Sequence, residues 1–288
     1  MQRDPSPSGM TKAKIHRYKN GVWTHDEDGL AREEPLEIRI RYGPLAQRKS
    51  KSISVTMRTP GNDIELALGF LFTESIIQSR LQIMQAAHIA HAKTQESKEN
   101  IIQVLLREDV QPDLEKLQRN FYTTSSCGVC GKESVDAVKL ECPVYIQKDV
   151  RFSKNMLLKL PGTLREHQNI FSATGGIHAA AFFNMQGNLL LLREDVGRHN
   201  ALDKLIGASL FTELDSEIDP TGCILLLSGR ASFELLQKAA MAGIPVVCAV
   251  GAPSSLALQM AAEFNITLIG FLREDRFNVY TGRERVLE

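Results

Sequence analysis

Two cysteines share the short segment Cys127-Gly128-Val129-Cys130. A thiolate is both a nucleophile and a metal ligand, and a Cys-x-x-Cys pair near hydrogen-bond donors lowers the pKa of one of its sulfurs. Ser125 and Ser126 supply such donors just upstream. Three chemistries use a pair of this kind. A structural zinc needs four ligands; Cys142 is a candidate third, but no second Cys-x-x-Cys or His-x3–5-His follows. A thioredoxin-like switch sets its pair at the mouth of a βαβ unit near the start of a domain, which is not the setting here. The third chemistry is transfer: a cysteine takes a sulfur atom as a persulfide in one place and hands it on in another, which suits a bendable, glycine-containing loop. The residue types leave all three open, and the setting favours transfer. Cys142, Cys223 and Cys248 lie in apolar or strand-like contexts and read as buried small hydrophobes.

A second chemistry is anion binding. Ser228-Gly229-Arg230-Ala231-Ser232 follows the apolar run 223–227, and Gly251-Ala252-Pro253-Ser254-Ser255 follows the run 245–250. Each then enters a helical pattern, and small residues at a helix N-terminus leave bare N–H groups for an anion. Phe271-Leu272-Arg273-Glu274-Asp275-Arg276 follows the run 266–270. Arg230, Arg273 and Arg276 carry the planar fork that matches phosphate. Thr174-Gly175-Gly176-Ile177-His178 places two glycines, where backbone can approach a ligand, before His178 at the start of a strand. Asp195-Val196-Gly197-Arg198-His199-Asn200 crowds a carboxylate, a guanidinium, an imidazole and an amide at a helix start. The three strand exits together describe a site for a phosphorylated, nucleotide-like ligand, the plainer reading being three capped turns with surface arginines; for His178 the plainer reading is a core histidine, and for Asp195–Asn200 a solvated helix cap. Arg-Glu-Asp also recurs at 107–109, 193–195 and 273–275, each time after an apolar strand, and reads as a charged strand exit rather than a repeat.

The elements that must position these residues follow from periodicity. Leu36, Ile38 and Ile40, then Ile53, Val55 and Met57, alternate as half-buried strands do. Asn62 or Asp63 starts a helix that runs to about Ile77, and a strand covers about Ile101–Leu106. Residues 121–131 fit neither period and read as a mobile loop. Ser153 caps a helix near 155–170, interrupted at Pro161-Gly162. The second half reads as hairpin 177–183 and 189–192, helix 199–210, strand 223–227, helix 232–242, strand 245–250, helix 254–263 and strand 266–270. Short apolar strands alternating with helices indicate parallel strands covered on both faces. The expected fold is therefore α/β with an α+β N-terminal part and a mixed sheet with flanking helices. The expected organisation is a disordered tail over 1–12, an N-terminal subdomain over 13–120, the cysteine loop and connector over 121–150, and a C-terminal domain over 151–288. In open α/β sheets ligands bind beyond the carboxyl ends of the strands, where most of the anion-binding segments fall.

Composition narrows the partners. The chain has 288 residues, with 34 Lys plus Arg against 34 Asp plus Glu. A neutral balance argues against wrapping nucleic acid, which leaves a basic footprint. Five cysteines are too few, and odd in number, for a disulfide framework. The opening MQRDPSPSGMTKAK lacks the apolar core of a secretory signal, and no run is long and apolar enough to span a bilayer. The expected compartment is the reducing cytoplasm.

The longest motifs carry a family resemblance. Arg58-Thr59-Pro60-Gly61-Asn62-Asp63 with Glu65-Leu66-Ala67-Leu68-Gly69-Phe70-Leu71, Ser126-Cys127-Gly128-Val129-Cys130-Gly131, Thr174-Gly175-Gly176-Ile177-His178, and Glu194-Asp195-Val196-Gly197-Arg198-His199-Asn200-Ala201-Leu202-Asp203-Lys204 resemble the FdhD family. Ser228-Gly229-Arg230 and the Phe271–Arg276 stretch fit as well, so the likeness runs in order from about residue 35 to the end. The family comprises sulfur-carrier accessory proteins of formate dehydrogenase. The resemblance implies that a cysteine desulfurase is the sulfur donor. The acceptor it implies is the molybdenum or tungsten of bis-molybdopterin guanine dinucleotide, which the formate dehydrogenase apoenzyme then receives. It also implies that Cys127 bears the persulfide, that Cys130 assists, that Phe271–Arg276 binds the cofactor, and that the chain forms a homodimer. It implies a cytidine-deaminase-like C-terminal domain without zinc, since His178 is followed by Ala179-Ala180 and no Pro-Cys-x-x-Cys occurs. The competing functions are a non-catalytic chaperone that shields the cofactor and a zinc-dependent, deaminase-like nucleotide hydrolase.

Overall fold

The computed structural model describes residues 9–89, 99–112, 146, 150–211 and 218–288. The Cys127–Cys130 loop and Cys142 lie outside the described residues, as do residues 1–8 of the expected tail.

Strands β1 (Met10–Lys19) and β2 (Val22–Ala31) form an antiparallel hairpin. β1 starts at Met10, which corrects the expectation of a disordered tail through residue 12. Its two-residue turn is Asn20-Gly21, both at positive φ, the pairing that two-residue hairpins prefer because it matches strand twist. Asn-Gly is thus a readable signal for a hairpin that the alternation of apolar residues does not mark. Gly29 lets β2 lie close to the helix that ends at Thr174: an added Cβ would stand 2.8 Å from the Ala173 carbonyl oxygen.

A four-stranded sheet follows, ordered β4-β3-β6-β5, from β3 (Glu34–Tyr42), β4 (Lys49–Arg58), β5 (Ile83–His88) and β6 (Ile101–Leu106). β3 and β4 carry the two alternating patterns, as expected; β5 shows no clear period and emerges only from the structure. Helix α1 (Asp63–Thr73) covers one face, where Leu66, Ala67 and Leu71 join Leu36, Ile38, Ile40, Ile102 and Val104 in one core. The helix ends before Ile77 because Ser75 takes a positive φ. Ile76 and Ile77 still fold back into the core, their N–H groups donating to the Leu71 carbonyl.

The larger sheet has six strands, ordered β13-β12-β11-β10-β8-β9. These are β8 (His178–Phe183), β9 (Leu189–Asp195), β10 (Ile224–Leu227), β11 (Val246–Ala249), β12 (Thr267–Gly270) and β13 (Asn278–Thr281). β10, β11 and β12 are parallel, while β8 and β13 run against them. The mixed sheet is therefore as expected. One face packs on the helices of the crossovers, α5 (Arg198–Phe211), α6 (Phe233–Met241) and α7 (Ser255–Glu263). On the other face lie the short helices α2 (Lys154–Leu157), α3 (Leu160–His167) and α4 (Asn169–Thr174), with β7 (Phe152–Ser153) paired to β14 (Val286–Leu287). The helix expected over 155–170 is broken twice. Pro161 falls in the first turn of α3, where its missing N–H costs nothing, and α4 starts afresh after Gln168.

The two sheets are joined through α1 and α5, which touch backbone to backbone. A Cβ on Gly69 would stand 1.9 Å from the Asp203 carbonyl oxygen, and one on Gly207 would stand 1.9 Å from the Glu65 carbonyl oxygen. No larger side chain fits this crossing without separating the helices. Beside it Lys238 donates to Asp203 at 2.9 and 3.0 Å and to Thr73 at 2.8 Å, so a buried charge finds a charge.

Candidate functional site

Register places the anion-binding segments along one edge of the six-stranded sheet. His178 pairs with Asp195, Ala180 with Leu227, Leu227 with Ala249, and Cys248 with Ile269. The start of β8 and the ends of β9, β10, β11 and β12 therefore lie side by side. Four spacings of about 4.8 Å make an edge roughly 20 Å long. Hydrogen bonds tie neighbouring exits together: Gly251 N donates to the Gly229 carbonyl (2.8 Å), Phe271 N to Gly251 (3.0 Å), and Ser228 N to Ala179 (3.0 Å). The N-termini of α5, α6 and α7 open on the same edge, so three sets of N-terminal N–H groups face one way.

At the β12 end, Leu272 is fully buried and serves the core, so its side chain takes no part in the exposed surface. Its neighbours Phe271, Arg273, Glu274, Asp275 and Arg276 are exposed. Phe271 holds a φ of +53°, which a bulky residue seldom adopts, and its ring stays 42% exposed. Strained backbone positions cluster at ligand clamps and active sites, which makes Phe271 a candidate contact. Arg273 is braced: Nη1 donates to the carbonyls of Val250 (2.6 Å) and Leu272 (2.9 Å), while the residue as a whole stays exposed. Arg230 is exposed at the neighbouring exit.

At the β8–β9 end, Gly175 caps α4 in the left-handed region and an added Cβ there would meet nothing within 4 Å, so bare backbone is presented. The turn is held by Glu194, whose carboxylate accepts from the N–H groups of Ile170 (3.0 Å) and Phe171 (2.9 Å). His178 lies against Gly229, where an added Cβ would stand 3.4 Å from Nδ1. Its pKa is pushed down by burial and by the charges of Arg198 and His199, against a smaller opposing pull from Asp195. His178 is therefore a neutral imidazole at neutral pH, able to accept or donate. Arg198 and His199 are half-buried at the start of α5. His199 Nε2 stands 2.8 Å from Glu234 Oε2 and 3.5 Å from Ser232 Oγ.

The dense Asp195–Asn200 segment divides into two kinds of residue. Asp195 has no exposed surface; it binds Lys204 Nζ at 2.7 Å, accepts from Thr59 N at 3.1 Å, and holds the turn that leads into α5 by accepting from Gly197 N at 2.9 Å. Asn200 donates to the Met57 carbonyl and to Asp195. These two hold the halves of the molecule together, and Arg198 and His199 are left to the edge. The sequence placed Ser232 in a strand-exit segment and Glu194 and Lys204 in a family motif without giving them a role, and it gave no signal for Glu234.

Arg58 and Asp63 form a buried fork at 2.9 and 2.9 Å, with His88 Nε2 3.5 Å from Asp63. Cys223 and Cys248 are buried; burial and Asp219 push the Cys223 thiol up to about 12, and burial alone raises Cys248. Neither is a nucleophile in this state. Among the described residues no group of His, Cys, Asp and Glu is arranged to hold a metal ion, and no helix is long and apolar enough to cross a membrane.

The chain resembles proteins of one kind along nearly its whole length. A relative in Streptomyces coelicolor named sulfur carrier protein FdhD is 46% identical over 279 residues, covering 96% of this chain and 95% of its own. Proteins of the same name in Mycobacterium tuberculosis (45% over 277 residues; 94% and 96% covered) and Thermoplasma volcanium (40% over 285; 97% and 97%) match similarly. A crystal structure from Desulfotalea psychrophila, described as a formate dehydrogenase accessory protein, superposes with a TM-score of 0.72 at 22% identity. It covers 97% of this chain and 100% of its own, so the two share a fold. The FdhD/NarQ family model matches residues 31–287, and the chain belongs to the FdhD/NarQ family.

Proposed function

We propose that this protein is a sulfur carrier that serves formate dehydrogenase. In this reading Cys127 thiolate attacks the outer sulfur of a persulfide on a cysteine desulfurase. The S–S bond of the donor breaks, the donor cysteine leaves as a thiolate, and Cys127 becomes a persulfide. Cys130 thiolate then attacks the inner sulfur of Cys127. A Cys127–Cys130 disulfide forms, and the outer sulfur departs as hydrosulfide to the metal of bis-molybdopterin guanine dinucleotide. A thiol reductant resets the disulfide. The cofactor is a client, passed to the formate dehydrogenase apoenzyme after sulfuration, and the carrier acts as a homodimer. We read the six-stranded sheet as a deaminase-type scaffold turned to binding, because His178-Ala179-Ala180 lacks the glutamate a zinc deaminase uses as its acid and base.

The observation that supports this most is the single sheet edge. Arg198, His199, Arg230, Arg273 and Arg276 meet there beside three helix N-termini, with the exposed Phe271 ring at one end. Guanidinium forks and N–H groups suit phosphates, and an exposed ring suits stacking on a base. The relatives named sulfur carrier protein, 40–46% identical over most of the chain, support the transfer chemistry. The decisive experiment is mass spectrometry after incubation with a cysteine desulfurase and cysteine. One added sulfur mapped to Cys127, lost in Cys127→Ala together with activation of formate dehydrogenase, is the expected result. A Cys127→Ala protein that still gains the sulfur and still activates the enzyme refutes the carrier reading and leaves a chaperone that only shields the cofactor.

A further inference from the structure

Glu234 sits in the first turn of α6, where a carboxylate answers the positive end of the helix dipole. The dipole does not explain where its side chain goes. An acid that only complements a helix end stays in water, whereas the Glu234 side chain is 13% exposed. It reaches across to the start of α5, and Oε2 stands 2.8 Å from His199 Nε2. Its second oxygen, Oε1, is shut off from solvent and has no hydrogen-bond partner among the described residues. Burying a carboxylate with one oxygen unanswered is costly. The contact it secures is with an imidazole on the edge described above. The N-cap of α6 follows the same pattern: the Ser232 side chain makes no capping bond to its helix and lies 3.5 Å from the same Nε2.

The consequence concerns the other ring nitrogen. With Nε2–H donating to Glu234, the ring is fixed in orientation and Nδ1 is the atom left for a ligand, the arrangement by which a carboxylate orients a working histidine elsewhere. The neighbouring imidazole differs. Among the described residues no carboxylate hydrogen-bonds to His178; it packs on Gly229 and feels the charges of Arg198 and His199, opposed more weakly by Asp195. Two histidines on one edge thus differ in what holds them.

We propose that Glu234 is a positioning residue: through Nε2 it fixes the His199 ring at the sheet edge and turns the Nδ1 lone pair toward a ribose hydroxyl of the bound nucleotide, which donates to it. The proposal rests on the nucleotide-binding reading of that edge. Two measurements on the full-length protein separate the two. The first needs no ligand: nitrogen-15 NMR of the histidine rings reports which nitrogen carries the proton. His199 is expected as the Nε2–H form in the wild type and as a mixture in Glu234→Ala, with no change at the other histidines. The second is a double-mutant cycle on GDP affinity with His199→Ala, Glu234→Ala and both together. Each single change is expected to weaken binding about tenfold, and the pair no more than His199→Ala alone. A purely structural role for Glu234 predicts additive losses, and that outcome overturns the proposal, as does unchanged affinity in Glu234→Ala. If the wild type binds no GDP, the nucleotide reading fails by itself. The ring spectra then decide: an unaltered His199 signal in Glu234→Ala overturns the positioning role, and an altered one upholds it. Should Glu234→Ala not fold, Glu234→Gln is read instead. It is expected to keep the Nε2–H form and to lose about threefold in GDP affinity, and affinity equal to the wild type overturns the proposal.

Discussion

Two strand ends carry the same three residues and put them to opposite uses. At the end of β9, Arg193-Glu194-Asp195 is wholly engaged. Arg193 grips Glu65 at 2.5 and 2.8 Å, Glu194 holds the start of α4, and Asp195 is buried against Lys204 and Thr59. At the end of β12, Arg273-Glu274-Asp275 is exposed. There Arg273 touches only backbone carbonyls among the described residues, and the 3.9 Å Asp275–Arg276 pair lies in water, where such contacts contribute little. The difference comes from what lies beyond each strand. The end of β9 is roofed by the turn and helix that follow β4, which supply Thr59 and Glu65. No described element covers the end of β12. One triplet is a brace and the other is a surface.

That contrast can be broken at several points. The largest effect is expected at the brace. Asp195→Ala strands the buried Lys204 ammonium and should cost about 3–5 kcal/mol. Urea or guanidinium unfolding measures it, and a loss under about 1 kcal/mol would mean that Asp195 is not a brace. Arg193→Met removes the partner of Glu65, a side chain only 12% exposed, and should cost about 1–3 kcal/mol in the same titration. The surface triplet should respond the other way round. Arg273→Ala is expected to shift stability by no more than about 0.5 kcal/mol while weakening GDP binding about tenfold, near 1.4 kcal/mol. Calorimetric titration beside a melting curve reads both; a destabilised Arg273→Ala with full affinity would erase the distinction.

The smallest effect sharpens the boundary between the two regions, where His178 faces Asp195 across the β8–β9 pair. Burial first, then Arg198 and His199, depress the folded-state pKa of His178 below its ordinary 6.5. The unfolded chain therefore binds this proton more readily than the folded one. The linked stability is complete above pH 6.5 and declines as pH falls through that value toward the lower folded-state pKa. His178→Gln should flatten the dependence of unfolding midpoint on pH between about 7.5 and 5. Parallel curves for the two proteins would show that His178 is not held neutral.

Much of this architecture could be read in advance where local chemistry fixes it. The runs 223–227, 245–250 and 266–270 became β10, β11 and β12 with shifts of a residue or so at their ends, because short apolar strands between helices leave one arrangement that covers both faces. Less was legible at the N-terminal end. The β1–β2 hairpin is mostly exposed, with Tyr18 and Trp23 facing each other at 5.1 Å in the open, so no buried face imposes alternation on its sequence. Only the Asn20-Gly21 turn announces it. Helix α1 ended early because Ser75 leaves the helical region, a choice made by packing Ile76 and Ile77 into the core.

The sequence by itself determined which chemistry the chain carries and in what order. It set a cysteine pair in an aperiodic segment, glycines and arginines at strand ends, and an unbroken run of family motifs, all of them properties of neighbouring residues. The tertiary structure decided which charges are consumed and which are left for a ligand. That depends on partners remote in the chain: Glu65 for Arg193, Thr59 and Lys204 for Asp195, Glu234 for His199. A carboxylate beside an ammonium in a dry contact and a carboxylate in water are the same residue in the sequence. Only the fold determines how much water each retains, and with it whether the charge braces the molecule or faces a ligand.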